Sequence, residues 1–131
     1  MEKENPLDVQ IGGDHYKSLP YQPDTLATVL CFNFKQGSML KYVSRYKKKD
    51  GRKDLLKVIH FAQLGQQMPP KNFYLFGEES SSEIHRYVTL NKMPPLIEQI
   101  IFEIASQNWI EIVKLINLLI KELDETEGNK V

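Results

Sequence analysis

Apolar residues that recur at intervals of three and four constrain the fold of this chain more than any other feature. One series follows Pro94-Pro95, and a second begins at Trp109 and ends at Leu123. This spacing places the apolar residues on one face of an α-helix. A break at residues 107–108 separates the two series, so we predict a helical hairpin at the end of the chain.

Shorter patterns predict three helices in the first half of the chain. The first begins after Pro23, the second covers about residues 34–46, and the third covers about residues 52–64. Residues 67–94 have no clear period: NFYLF is either a short strand or an aromatic plug, and GEESSSE is either an exposed loop or the start of one more helical turn. We therefore predict an all-α fold of about five helices.

Local signals also predict where these helices begin and end. Asp24 or Thr25 is the expected N-cap of the first helix, because short polar side chains accept hydrogen bonds from the free N–H groups there. Gly51 is expected to end the second helix in a left-handed conformation, and Gly65 to end the third.

The size and composition of the chain predict one soluble globular domain. It has 131 residues, 41% hydrophobic and 26% charged, which suffices for a core without disulfides. Residues 1–66 hold a loop, the first three helices and a basic turn. Residues 67–131 hold the unclear segment and the helical hairpin, and we expect the two parts to form one compact unit.

Cysteine content and hydropathy predict the compartment. Cys31 is the only cysteine, so no internal disulfide can form, and we expect it to be a small buried residue in a reducing compartment. The opening MEKENPLDVQ is polar and unlike a secretory signal. Charged residues interrupt WIEIVKLINLLIKEL, which argues against a membrane span. We expect a cytoplasmic protein with no membrane partner.

Positive charge is concentrated in one stretch, although the formal net charge of the chain is zero. Residues 41–57 carry eight cations and two acids, a net charge of +6. Residues 95–131 carry seven acids and three lysines, a net charge of −4. The basic stretch is therefore expected to attract anions.

Helix geometry organises these cations into a surface. At 100° per residue, Lys41, Arg45 and Lys48 form one stripe, while Tyr42 falls on a separate apolar arc and is expected in the core. The next helix should return antiparallel after a short turn, with its N-terminal N–H groups available to a phosphate. The alternative is that these cations form an ordinary solvated face that binds no ligand.

On the third helix, Asp54 and Lys57 are three residues apart and can pair.

Two stretches, DHYKSLPYQPDTL and FKQGSMLKYVSRYKKKDGRKDLLKVIHFAQL, resemble a family of small, mostly bacteriophage-encoded proteins, sometimes named nucleotide kinases. The family pattern is a His-Tyr pair, a helix with Gly-Asn-x-x-Lys-Tyr-x-x-Arg, a basic turn, and Asp-Leu-x-Lys on the next helix. The resemblance covers about residues 11–64, and Ser38 stands where the family usually has Asn. The matching positions are His15, Tyr16, Gly37, Ser38, Lys41, Tyr42, Arg45, Lys48, Lys49, Asp54, Leu55 and Lys57.

The resemblance implies a nucleotide ligand, and transfer of phosphate from a triphosphate donor to a deoxynucleoside monophosphate. Mg²⁺ with ATP would be required by a kinase. Asp54 is the candidate for a catalytic role; the alternatives for it are a helix cap or the partner of Lys57. The chain has no phosphate-binding loop of the G-x-x-x-x-G-K-[ST] type and no cluster with metal-ligand spacing. The expected ligand- or phosphate-binding residues are His15, Tyr16, Ser38, Lys41, Arg45, Lys48 and Lys57.

Three functions remain open from the sequence. The first is an enzyme of the nucleotide kinase type. The second is a protein that captures a nucleotide without converting it, such as a signalling nucleotide of a host defence against phage. The third is nucleic-acid binding by the basic turn, which the zero net charge of the chain makes less favourable. We also expect a homo-oligomer, and the helical hairpin builds either the core or the interface of that oligomer.

Overall fold

A computed structural model describes residues 19–47, 51–68 and 78–128, and within these ranges it contains six helices and no strand. The prediction of an all-α fold is confirmed. About five helices were predicted, and the fourth helix is the one that the sequence did not predict in full. The helices are α1 (Pro23–Val29), α2 (Phe34–Arg45), α3 (Gly51–Gln67), α4 (Glu78–Leu90), α5 (Pro95–Ala105) and α6 (Trp109–Gly128).

The helices pack as two rings that share one edge. Helices α2, α3, α6 and α5 contact one another in that order and close a ring. Helices α1 and α4 contact each other, and they extend the α2–α5 edge into a second ring. Buried apolar residues from all six helices form one hydrophobic core, so burial of the apolar faces holds α2 and α3 in fixed positions.

Helices α3 and α6 run antiparallel. Gly51 lies beside Leu123 at one end of the pair, and Gly65 lies beside Trp109 at the other. The ring of Trp109, the first residue of α6, lies against Gly65 of α3. Helix α6 packs more extensively on α3 than on α5, and the helical hairpin of α5 and α6 stays a prediction.

Three predicted helix ends were wrong. Helix α1 is preceded by Gln22 as N-cap, which makes no side-chain capping bond, and Pro23 occupies the first turn, where its missing N–H costs nothing. Gly51 begins α3 instead of ending α2. Gly65 lies inside α3 and is buried. Each glycine allows a close approach by α6, which a signal read from neighbouring residues does not reveal.

Helix α4 includes residues 78–83, for which the sequence left open either an exposed loop or the start of one more helical turn. Ile84 and Tyr87 are fully buried, and the hydroxyl groups of Tyr87 and Ser44 lie 2.6 Å apart. The side chain of Asn91, just after the helix, exchanges two hydrogen bonds with the backbone of Tyr21. Tertiary contacts therefore hold α4 although three serines weaken its helical tendency.

Three further features bear on the sequence predictions. Cys31 is exposed with a φ of 56°, so the expectation that it is buried was wrong. The NFYLF segment lies outside the described residues. Among the helices that the structure describes, none combines the length and the apolar character needed to cross a bilayer.

Helix α2, which carries most of the candidate residues, begins with a capping box. The Asn33 side chain accepts a hydrogen bond from the Gln36 backbone N–H, and the Gln36 side chain accepts one from the Asn33 backbone N–H, both at 2.9 Å. The Gln36 amide also donates to the carbonyls of Ile104 and Ala105 at the end of α5. The start of α2 is therefore fixed both locally and against α5.

We expect Asn33→Ala to lower the free energy of unfolding by about 1 kcal/mol, the usual contribution of an N-cap side chain. Asn33→Ser should recover most of this loss because a hydroxyl group can accept the same hydrogen bond. Urea denaturation followed by circular dichroism measures both changes. Equal stability of the alanine variant and the parent protein would contradict a role for this cap.

Candidate functional site

Three cationic side chains of the described residues gather around the ring of Tyr42. The Arg45 guanidinium carbon lies 4.8 Å from the ring centroid, the Lys57 Nζ atom 4.9 Å, and the Lys41 Nζ atom 5.5 Å. These distances are within the range of cation–π attraction. Tyr42 was expected in the core; it is half-buried, and it packs against the core from the surface.

One of these cations is held in a buried ion pair. The Arg45 Nε atom donates to Asp54 Oδ2 at 3.3 Å, and its Nη2 atom donates to Asp54 Oδ1 at 3.2 Å. Arg45 is 8% exposed and Asp54 is 0% exposed. The predicted exposed stripe of Lys41 and Arg45 is therefore divided: Lys41 faces solvent, while Arg45 turns inward and joins α2 to α3.

Asp54 has a position that suits an ion-pair partner rather than a reacting group. Both of its oxygens accept from Arg45, and Oδ1 also lies 3.8 Å from the Lys57 Nζ atom, which confirms the predicted Asp54–Lys57 pairing. It lies in the first turn of α3, where the helix dipole stabilises a negative charge. The Lys57 side chain is 44% exposed and can still reach a ligand.

Aromatic rings continue this site along the α2–α3 groove. The rings of Tyr42 and Phe61 are nearly parallel, with 6.2 Å between centroids and 17° between planes. Phe34 meets Phe61 edge-on, with 5.9 Å between centroids and 72° between planes. We call Tyr42, Phe61 and Phe34 the aromatic row. The exposed His60 lies beside Phe61, with 6.0 Å between their rings.

The spacing of residues on the two helices explains this assembly. Phe34, Ser38, Lys41 and Arg45 are three or four residues apart and form one stripe of α2. Asp54, Lys57 and Phe61 form a matching stripe of α3, and the antiparallel packing of the two helices brings the stripes together. Phe34 was missed from the sequence, although its interval of four from Ser38 was a usable signal. Ser38 is half-buried on the α2 stripe.

The structure does not describe all of the predicted site residues. Three of them, His15, Tyr16 and Lys48, lie outside the described ranges. The expected phosphate site at the start of α3 stays a prediction, since residues 48–50 lie outside the described ranges. The Arg52 guanidinium at that start pairs with the carboxylate of Asp124 in α6.

Burial keeps two tyrosines, Tyr46 and Tyr21, in their neutral form. Burial, followed by the nearby charge of Glu122, raises the pKa of Tyr46 to about 12. Burial also raises the pKa of Tyr21, and its hydroxyl donates to a Glu83 oxygen at 2.5 Å. Both hydroxyl groups therefore remain protonated at neutral pH, and neither is suited to serve there as a general base.

The described residues contain no group of three or more His, Cys, Asp or Glu side chains that could hold a metal ion. Comparisons with models of protein families, with curated proteins and with solved structures found no match to this chain. The site thus consists of the half-buried Tyr42 ring with two accessible lysines and one paired arginine around it, and two further aromatic rings extend it along the groove.

Proposed function

We propose that this protein binds a nucleotide in the groove between α2 and α3. The observation that carries the proposal is the gathering of Lys41, Lys57 and Arg45 around the Tyr42 ring. Arg45 and Lys57 pair with Asp54, and Lys41 adds a third cation beside Tyr42, so the three cations and this carboxylate together have a net charge of +2. A phosphate group offers the matching negative charge.

Each cation has its own part in this proposal. Lys41 and Lys57 contact the phosphates directly, because their ammonium groups are mobile point charges with three donors each. Arg45 acts by fixing Tyr42 and by adding positive charge behind it. Ser38 offers a hydroxyl to the sugar or base from the same stripe of α2. His15 and Tyr16 complete the site by resemblance to the phage family.

The resemblance to nucleotide kinases makes phosphate transfer a proposal that needs its own test. A kinase would act with ATP and Mg²⁺, and Asp54 was its candidate acid. Because Asp54 is buried against Arg45, we favour binding without conversion, as in the capture of a signalling nucleotide. Action in the cytoplasm of a phage host, and assembly as a homo-oligomer, belong to the same proposal.

A single incubation separates these possibilities. Stoichiometric protein is mixed with mono-, tri- and cyclic nucleotides and Mg²⁺, the protein is removed by filtration, and both filtrate and denatured protein are analysed by chromatography. Recovery of an unchanged nucleotide from the protein supports capture. More than one equivalent of a new product supports an enzyme. If every nucleotide stays free, the proposal fails, and single-stranded nucleic acid becomes the ligand to test.

We expect Lys41→Ala and Lys57→Ala each to weaken nucleotide binding by about tenfold or more, since a hydrogen bond to a charged group contributes about 1.5–3 kcal/mol. Higher salt should weaken nucleotide binding by the parent protein and reduce the difference in dissociation constant between it and each lysine variant. Isothermal titration calorimetry measures the dissociation constants. Lys114→Ala is the matched control because this lysine is exposed on α6; an equal loss there would indicate non-specific charge attraction and contradict the site.

A further inference from the structure

Phe34 is exposed to an unusual degree for a large aromatic residue. Its exposed fraction is 79%, the highest among the large hydrophobic residues that are exposed in the described ranges. It stands at the first residue of α2, directly after the Asn33 cap. The capping box fixes the backbone there, so the ring is presented to solvent from a defined position.

The other two members of the aromatic row support this ring from behind. Phe61 contacts Phe34 edge-on, and Phe61 in turn lies nearly parallel to Tyr42. Both Phe61 and Tyr42 are half-buried and pack against the hydrophobic core. Phe34 is thus the exposed end of a supported row whose other end is surrounded by cations.

The spacing along α2 matches the two ends of a nucleotide. Phe34 and Lys41 are seven residues apart on one helix, which corresponds to about 10 Å at 1.5 Å per residue. This is comparable to the separation between the base of a nucleotide and its terminal phosphates. Ser38 lies between them on the same stripe, where a sugar would pass.

We infer that the base of the nucleotide stacks on Phe34 while its phosphates lie at Lys41 and Lys57, an inference that rests on the proposed function. The ligand then points its base toward the start of α2 and its phosphates toward the basic turn. Every base has a π face, so stacking is tolerant of base identity. Phe34 therefore raises affinity for nucleotides as a class and contributes little to the choice between bases.

Base-free probes test this orientation. The dissociation constants of nucleoside mono- and triphosphates of four bases are compared by calorimetry with those of inorganic phosphate and tripolyphosphate. We expect Phe34→Ala to weaken the binding of nucleotides by about tenfold or more, within the range measured for loss of one stacking contact. The dissociation constants of the inorganic probes should stay unchanged. Phe34→Trp should retain nucleotide affinity. Lys41→Ala should weaken the binding of both the nucleotides and the inorganic probes.

Leu118→Ala is the matched control because this residue is also apolar and exposed, at 53%, on α6. It should leave all dissociation constants unchanged. If the parent protein binds no nucleotide, the proposed function fails and this inference fails with it. If it binds nucleotides and Phe34→Ala binds them equally well, only this inference is overturned. A change in oligomer mass with unchanged binding would assign Phe34 to a contact between copies and overturn it as well.

Discussion

Asp54→Ala is expected to lower the free energy of unfolding by about 3 kcal/mol or more, the usual cost of removing one partner from a buried ion pair. The Asp54 side chain is completely buried, and both of its oxygens accept from Arg45. Without this carboxylate, the buried guanidinium loses two charge-assisted hydrogen bonds. Urea denaturation monitored by circular dichroism, extrapolated to zero denaturant, measures the change.

Asp124→Ala provides the matched control for this prediction. Asp124 also pairs with an arginine, Arg52, but both side chains are about half exposed, at 46% and 55%. An exposed pair contributes at most about 1 kcal/mol, so the control should remain close to the parent protein. The double variant Arg45→Met, Asp54→Leu should recover much of the loss, because apolar side chains can replace a buried ion pair. Equal losses for Asp54→Ala and Asp124→Ala would contradict the burial argument.

This ion pair affects how the binding site is tested. Arg45→Ala would remove the partner of Asp54 as well as a cation beside Tyr42. A loss of nucleotide binding in that variant could then follow from partial unfolding. Lys41 and Lys57 are better probes since one is exposed and the side chain of the other is 44% exposed, so their substitution changes charge with little effect on stability.

The sequence predicted those helices whose apolar faces repeat clearly. The apolar patterns at about residues 34–46, at about residues 52–64 and after Pro95 correspond to α2, α3 and α5. Helix α4 was not predicted in full because its first half, EESSSE, is polar, and because its buried apolar residues, Ile84, Tyr87 and Val88, all lie in its second half. Its stability comes from tertiary contacts, which no local pattern contains.

The site was predicted in part for a similar reason. Helix geometry correctly paired Asp54 with Lys57 on α3. It also placed Lys41 and Arg45 together on α2, but it gave no means of telling which cation would be buried. That difference depends on Asp54, which lies on the neighbouring helix. Stripes can be read from one helix, whereas burial and pairing require knowledge of how two helices pack.

Gly65 is a second position whose role depends on the packing of two helices and could not be predicted from the pattern of one. A glycine near the end of an apolar pattern usually marks a helix C-terminus, yet Gly65 lies inside α3. A Cβ atom added there would lie 2.7–2.8 Å from ring carbons of Trp109. The absence of a side chain, rather than a left-handed conformation, is therefore what this position requires, and it allows α6 to approach α3 closely.

We accordingly expect Gly65→Ala to lower the free energy of unfolding by up to about 2 kcal/mol, since overpacking costs about 1–3 kcal/mol and the better helix propensity of alanine offsets about 1 kcal/mol of it. Gly37→Ala is the matched control: its added Cβ would meet nothing within 4 Å. The same substitution should there raise stability by up to about 1 kcal/mol. Thermal and urea denaturation of both variants measure the two changes.

The opposite signs make this comparison decisive, because helix propensity contributes equally at both glycines and only the contact with Trp109 differs. In a Trp109→Leu background, Gly65→Ala should cost less than it does in the parent protein, and the difference between the two costs isolates the interaction of the pair. If Gly65→Ala stabilises the protein as Gly37→Ala does, the Trp109 ring moves aside freely. The close approach of α3 and α6 at this point would then contribute nothing to the fold.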